Sequence, residues 1–158
     1  MLNIRKAEEK DTGKIMDLLS QVNLIHHKGR PDLFNIGTKY TLEELKGLLK
    51  NRKYHIFVAV NEKDEVLGYC FSLEEQILHD NIRTPVRTLY IDDLCVDEKC
   101  RHQQIGHELL AFMKEYSKKK GYHNLTLNVW ELDASAKAFY FHEGFNVQKT
   151  GMEIILDK

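Results

Sequence analysis

Val96-Asp-Glu-Lys-Cys-Arg101-His-Gln-Gln-Ile-Gly106-His107 is a polar stretch set between two apolar runs, and its reading decides the fold. On its N-terminal side Arg87-Thr-Leu-Tyr-Ile-Asp-Asp-Leu-Cys-Val96 is rich in β-forming residues and predicts a strand. On its C-terminal side Ile105, Leu109, Leu110, Met113 and Tyr116 recur at helical spacing. Gly121 lies just past the end of that helix, and Lys118 to Lys120 suit its C-terminus. The stretch is therefore a strand-to-helix turn, and the unpaired N–H groups at the start of such a helix attract anions. Arg101 beside them, with Gly106 allowing close backbone approach, suits a pyrophosphate; an ordinary helix cap is the other use of the same residues. Neither G-x-x-x-x-G-K-[ST] nor G-x-G-x-x-G is present, which disfavours an ordinary NTPase or dinucleotide enzyme.

Upstream of the turn, residues 3–7 read as a short strand and Asp11 as the cap of a helix carrying Ile15, Leu18, Leu19, Val22 and Ile25. A loop from His26 to Phe34 follows, and then Thr41 with Glu44 forms a capping box that opens a second helix through Leu45, Leu48 and Leu49. Residues 55–60 and 66–73 are β-rich runs joined by the polar turn 61–65, the pattern of an antiparallel hairpin. Downstream, residues 124–130 read as a strand, Asp133 caps a helix over 134–142, Gly144 ends it, and a last strand runs through Ile154, Ile155 and Leu156. The fold class is α/β (α+β): a mixed, mostly antiparallel central sheet with helices on both faces, in one domain spanning 1–158.

The chain's 158 residues, 42% of them hydrophobic, suffice for one sizeable core. Charged residues make up 30% of the chain and leave a formal net charge of -1, so no overall field draws it to nucleic acid. The lysines at 118–120 and the pair Arg52 and Lys53 read as solvated ends. Three cysteines, Cys70, Cys95 and Cys100, cannot all pair internally. With neither a secretory segment nor an apolar run of membrane length, the expected setting is the cytoplasm, without a membrane partner. His26 and His27 lack a nearby ligand set, and no metal is expected.

Residues 96–106 resemble the acetyl-CoA signature of the GNAT superfamily of N-acetyltransferases, R/Q-x-x-G-x-G/A after a strand ending in Val; Arg101 and Gly106 match it. Asp133-Ala-Ser-Ala136-Lys-Ala-Phe-Tyr140-Phe-His-Glu-Gly144-Phe145 resembles the family's second hallmark, N-x-x-A-x-x-x-Y-x-x-x-G-F. The order of strands and helices over nearly the whole chain is also similar to the family's. The resemblance implies that backbone groups of Leu94, Cys95 and Val96 pair with the pantetheine arm of acetyl-CoA. It implies too that amides of Arg101, His102, Gln103, Gln104, Ile105, Gly106 and His107 hold the pyrophosphate, with Asp133, Ala136 and Tyr140 along the cofactor. Two positions depart from the pattern, Gln104 for glycine and Asp133 for asparagine. Gln104 carries a Cβ and fits if its backbone is helical rather than left-handed; Asp133 keeps the acceptor that caps a helix.

Acetyl transfer to an amine requires a neutral amine, stabilisation of the carbonyl oxygen and a proton for the departing thiolate. The resemblance makes Tyr140 the acid, and a phenol with an ordinary pKa of about 10 is protonated at neutral pH. Asp92 and Asp93 lie adjacent in an apolar strand, where side chains alternate between faces. Asp92, at a position that is acidic in some family members, is the first choice of base and of acceptor contact. Asp93 is expected to face away, although a bulge near Leu94 exchanges the two. His27 and Phe34, in the loop that borders the family's acceptor site, are the further acceptor-binding candidates. Cys95 reads as a small strand residue, not a covalent nucleophile. The expected activity is direct transfer from acetyl-CoA to a primary amine in a ternary complex. Asp92, Glu74 and Glu75 suit a cationic acceptor, whether a small polyamine-like amine, an aminoglycoside or a protein amine. The alternative is an acyl-CoA-binding sensor without turnover, and exposed strand edges late in the chain would permit a homodimer.

Overall fold

A computed structural model describes residues 2–157. The elements are β1 (Asn3–Lys6), α1 (Thr12–Gly29), α2 (Leu42–Lys50), β2 (Tyr54–Val60), β3 (Val66–Gln76), β4 (Arg87–Val96), α3 (Ile105–Lys119), β5 (Asn124–Leu127) and α4 (Ala134–His142). Single 3-10 turns occupy Glu9–Asp11 and Glu98–Cys100. The five strands form one sheet in chain order. β1 to β4 pair antiparallel, while β5 returns parallel to β4 because α3 carries the chain back across one face.

Strand alternation divides the core into two layers. Val58, Tyr69, Phe71 and Cys95 join one layer, covered by Ile15, Leu18 and Leu19 of α1 and by Leu45 of α2. Phe57, Ala59, Cys70, Leu89 and Ile91 join the other, beneath Ile105, Leu109, Leu110 and Met113 of α3. Each fully buried Val, Leu, Ile, Phe or Met side chain among them contributes about 1.5–3 kcal/mol. Phe139 and Tyr140 of α4 pack at the margin of the second layer. The two-sided architecture expected from the sequence therefore forms, and the Thr41–Glu44 capping box closes at the start of α2.

Three expectations are corrected. His26 and His27 lie in the last turn of α1, which continues to Gly29, rather than in a loop. Asp11 stands before α1 but makes no side-chain cap bond to it. Arg5 claims its carboxylate at 2.8 and 2.9 Å, and the Glu8 amide donates to it at 2.7 Å, so Asp11 ties β1 to the helix entry.

The strand expected through Ile154, Ile155 and Leu156 does not form, and residues 145–157 lie outside the sheet. β5, the edge they would extend, ends at Leu127, and an apolar run becomes a strand only where an edge accepts its hydrogen bonds. Met152, Ile154 and Leu156 are left 92%, 84% and 89% exposed. Glu153 meets Arg30 at 2.5 Å.

Gly68 in β3 sits opposite Val96 at the end of β4, and a Cβ placed there would stand 2.8 Å from the Cys95 carbonyl oxygen. A rigid carbonyl cannot give way as a flexible side chain would. Gly68→Ala is expected to lower stability by about 1–3 kcal/mol, read as a lower denaturation midpoint at unchanged slope in urea.

Candidate functional site

β4 departs from regular pairing at one point. Phe71 stands opposite Asp93 and Ser72 opposite Ile91, so Asp92 is an extra residue on β4, a β-bulge. The bulge inverts the strand's alternation. Before it, Leu89 and Ile91 point to the α3 layer; after it, Leu94 and Val96 do, and Cys95 points to the α1 layer. Asp92 and Asp93 consequently share the α1 face, which corrects the expectation that Asp93 faces away. Tyr40 donates its hydroxyl to Asp92 Oδ2 at 2.5 Å, and its ring stacks on Phe71. Lys39 Nζ donates to Asp92 Oδ1 at 2.9 Å and to its backbone oxygen at 3.1 Å. Tyr69 donates to Asp93 Oδ2 at 3.0 Å. Burial pushes the Asp93 carboxyl up to about 6, and the neighbouring Asp92 adds to the rise against the opposing pull of Lys39 and Tyr69.

At the same level β4 parts from β5. Their ladder runs from Thr88 and Asn124 to Ile91 and Leu127 and stops there. Beyond it Leu94, Cys95 and Val96 pair with β3 alone, so their other backbone edge is open to a ligand. The strand then enters the polar turn. The Asp97 side chain accepts from the Lys99 amide at 3.1 Å and pairs with Lys14, fixing the 3-10 turn. His102 and Gln104 both adopt left-handed backbone, with φ of 67° and 64°. The helical backbone that would make Gln104 unstrained is thus not what forms, because the chain must reverse sharply from β4 into α3. Such a conformation costs a side-chain-bearing residue about 1–2 kcal/mol. Gln104 makes no side-chain cap bond, so the first amides of α3, at Ile105, Gly106 and His107, point out of the turn without a helical acceptor. Open strand edge and outward amides fit the arm and pyrophosphate of a coenzyme A thioester.

Gly106 has a second use, since a Cβ there would lie 3.1 Å from Phe139. The glycine seats α4 on α3. The contact is reinforced by His107 Nδ1 on Glu143 Oε2 at 2.9 Å and by Lys114 donating to the Glu143 carbonyl at 2.6 Å. Asp133 caps α4 through the Ala136 amide at 3.0 Å. One turn on, Tyr140 packs between Phe139 and Phe145. Its phenol is pushed well above the usual range, first by burial and then by the fields of Cys70, Asp93, Asp133 and Cys95. The hydroxyl stays protonated and lies within electrostatic reach of Asp93. Cys95 is buried, its thiol pushed up to about 12 by burial, which disfavours the thiolate a covalent route needs.

The α1–α2 connection forms one wall. His27 Nδ1 meets the Phe34 carbonyl at 2.6 Å, and the Phe34 ring packs edge-on against Trp130. His27 and Phe34 are thus tied to each other and, through the Phe34 ring, to Trp130 just beyond β5. Glu74 is paired elsewhere, with Arg87 at 2.7 Å and with the Tyr122 hydroxyl, which donates to it at 2.6 Å. Among the described residues no group of three His, Cys, Asp or Glu side chains could hold a metal ion. Lys39, Tyr40 and Tyr69 were not foreseen. No spacing rule links residues 52 and 53 positions apart, although a tyrosine and a lysine just before a capping box could have been weighed as loop anchors.

Comparison with known proteins bears on the family and the fold. The sequence matches the family described as Acetyltransferase (GNAT) family over residues 21–145. It is 26% identical over 117 residues to a probable N-acetyltransferase 14 of Xenopus tropicalis, covering 74% of this chain and 48% of that one. The chain thus spans about half the length of that relative. A tetramutant of the BH1408 protein of Bacillus halodurans superposes with a TM-score of 0.93 at 28% identity, over 98% of this chain and 99% of the other. An aminoglycoside acetyltransferase from an uncultured soil metagenomic sample, in complex with sisomicin, has the same fold at a TM-score of 0.69 and 20% identity, over 99% and 96% of the two chains. With the family match covering most of the chain and the site arranged around the β4–β5 opening, this protein belongs to the GNAT family of acetyltransferases.

Proposed function

We propose that the chain moves an acetyl group from acetyl-CoA to a primary amine by direct transfer in a ternary complex. One observation carries this reading: a bulge in β4 gathers two carboxylates where β4 and β5 part, and the field of one of them, Asp93, reaches the protonated Tyr140, half-buried on α4. The thioester supplies the activated acetyl group. The open edge of Leu94–Val96 and the amides from Arg101 to His107 would hold its arm and pyrophosphate, Arg101 adding charge. Asp92 receives the acceptor nitrogen and its proton, with Asp93 as the adjoining carboxylate that shares it. Tyr140 protonates the leaving thiolate. His27 and Phe34 shape the acceptor's entrance. The two carboxylates favour a cationic acceptor, a small amine or a protein amine, and the free cysteines suit the reducing cytoplasm.

The pH dependence follows from Asp93. Its carboxyl, raised to about 6, is protonated and unable to share a proton below that pH, so activity rises as pH increases through it. Thiol release with a panel of cationic amines is expected to show a limb near pH 6 that Asp93→Asn removes. Acetyl-CoA binding without thiol release on any amine would instead give the acyl-CoA sensor.

Calorimetry with acetyl-CoA tests the turn. Gln104→Gly, which frees the left-handed position of its side chain, is expected to bind more tightly than the native protein. Weaker binding would show that the Gln104 side-chain amide itself holds the pyrophosphate.

A second copy is the proposed partner. Met152, Ile154 and Leu156 are exposed, and β5 has an open edge beyond β4, so reciprocal pairing of one copy's C-terminal segment with the other's β5 satisfies both. Sedimentation equilibrium is expected to give a dimer that Ile154→Asp with Leu156→Asp returns to monomer; a native monomer at all concentrations would sink the pairing.

A further inference from the structure

The Asp92 carboxylate, read above as the group that receives an acceptor's nitrogen, already holds a primary amine of the same chain. Lys39 Nζ reaches its Oδ1 at 2.9 Å and its backbone oxygen at 3.1 Å. The lysine is held there by its neighbours. Tyr40, next in sequence, is fixed by its hydroxyl on Asp92 and by stacking on Phe71. Thr38 Oγ1 donates to the Tyr40 carbonyl at 2.8 Å, and Asn23 holds the Asn35 carbonyl at 2.8 Å from α1. Between these anchors Ile36 is 74% exposed and Gly37 has a φ of 149°. The segment can therefore yield about Gly37 while Tyr40 stays seated.

We propose that Lys39 is an internal acceptor, acetylated at Nζ by its own chain. The inference rests on the reading of Asp92 as proton acceptor. In the step, Lys39 Nζ passes a proton to the Asp92 carboxylate, and its lone pair attacks the carbonyl carbon of the acetyl-CoA thioester. The C–N bond forms and the C–S bond breaks. The departing thiolate takes the Tyr140 hydroxyl proton, the second proton lost by the nitrogen as the amide forms returns through water to Tyr140, and Asp92 releases the first to water, so that one proton is released per amide formed. The product amide carries no charge, so its pairing with Asp92 is lost and the carboxylate becomes free for an external amine. Self-acetylation thus removes an occupant that competes for the acceptor position.

The test incubates the full chain with acetyl-CoA and no added amine, then maps acetyl groups by peptide mass spectrometry. Acetylation is expected at Lys39 ahead of the exposed Lys118 and Lys119, with a rate constant unchanged on diluting the protein. Asp92→Asn should slow it by about a hundredfold, the low end for losing a positioned proton acceptor. Lys39→Arg should leave the background at other lysines as it was. Acetylation of Lys39 no faster than that of Lys118, or as fast in Asp92→Asn, would overturn the proposal, as would a rate proportional to protein concentration. Thiol release with added amines separates the two readings. Release with Lys39 unmodified overturns self-acetylation alone, and failure to bind acetyl-CoA overturns both.

Discussion

The site depends on one extra residue in β4. A regular strand would send Asp92 and Asp93 to opposite layers and bury one of them under α3, among Leu109, Leu110 and Met113. The bulge places both on the α1 face, where Tyr40, Tyr69 and Lys39 supply the donors a buried carboxylate requires. It also falls where the β4–β5 ladder ends, so the residues that hold charge and the residues with an open backbone edge are consecutive. The proposed chemistry and ligand docking would thereby share a single irregularity in pairing.

The other half of the site is tied to this one through α3 and α4. The missing Cβ of Gly106 lets Phe139 approach, and Glu143, nearly buried, is held from α3 by His107 and Lys114. Tyr140 follows Phe139 directly. The turn that would grip a pyrophosphate and the hydroxyl that would protonate a thiolate are therefore fixed by one interhelical contact. A signature glycine that reads as a phosphate device also serves helix packing, and strain at His102 and Gln104 is sustained by the packed helix that follows.

Much of this was legible in the sequence because the periods were clean. β4 over Arg87–Val96 and α4 over Ala134–His142 follow directly from patterning and caps, and the capping box at Thr41 sets α2. A bulge near Leu94 was open from the sequence, but its place at Asp92 was not legible: Asp92 and Asp93 are chemically identical neighbours, and period-two reasoning supplies no reason for the register to slip between them. Nor were Lys39 and Tyr40, which reach Asp92 across more than fifty positions. The C-terminal run was misread for the opposite reason. Ile154, Ile155 and Leu156 have strand-like composition, but composition carries no information about whether an edge is within reach.

The division of labour between strand and loop explains why the acceptor is harder to read than the reaction. Asp92, Asp93 and Tyr140 stand on a strand and a helix whose positions are fixed by two packed layers, and the charge of the two carboxylates would favour a cationic amine of any shape. On the proposed reading, discrimination would come from the connection between α1 and α2, where Phe34, bonded to His27 at the end of α1, leans on Trp130, and Lys39 and Tyr40 lean on β4. Ile36 and Gly37, between those anchors, touch little and can change without disturbing the carboxylates. A rigid pair of acids behind an adjustable loop would let one chemistry serve different amines, so the proposed reading puts the choice of substrate in the loop rather than the strand.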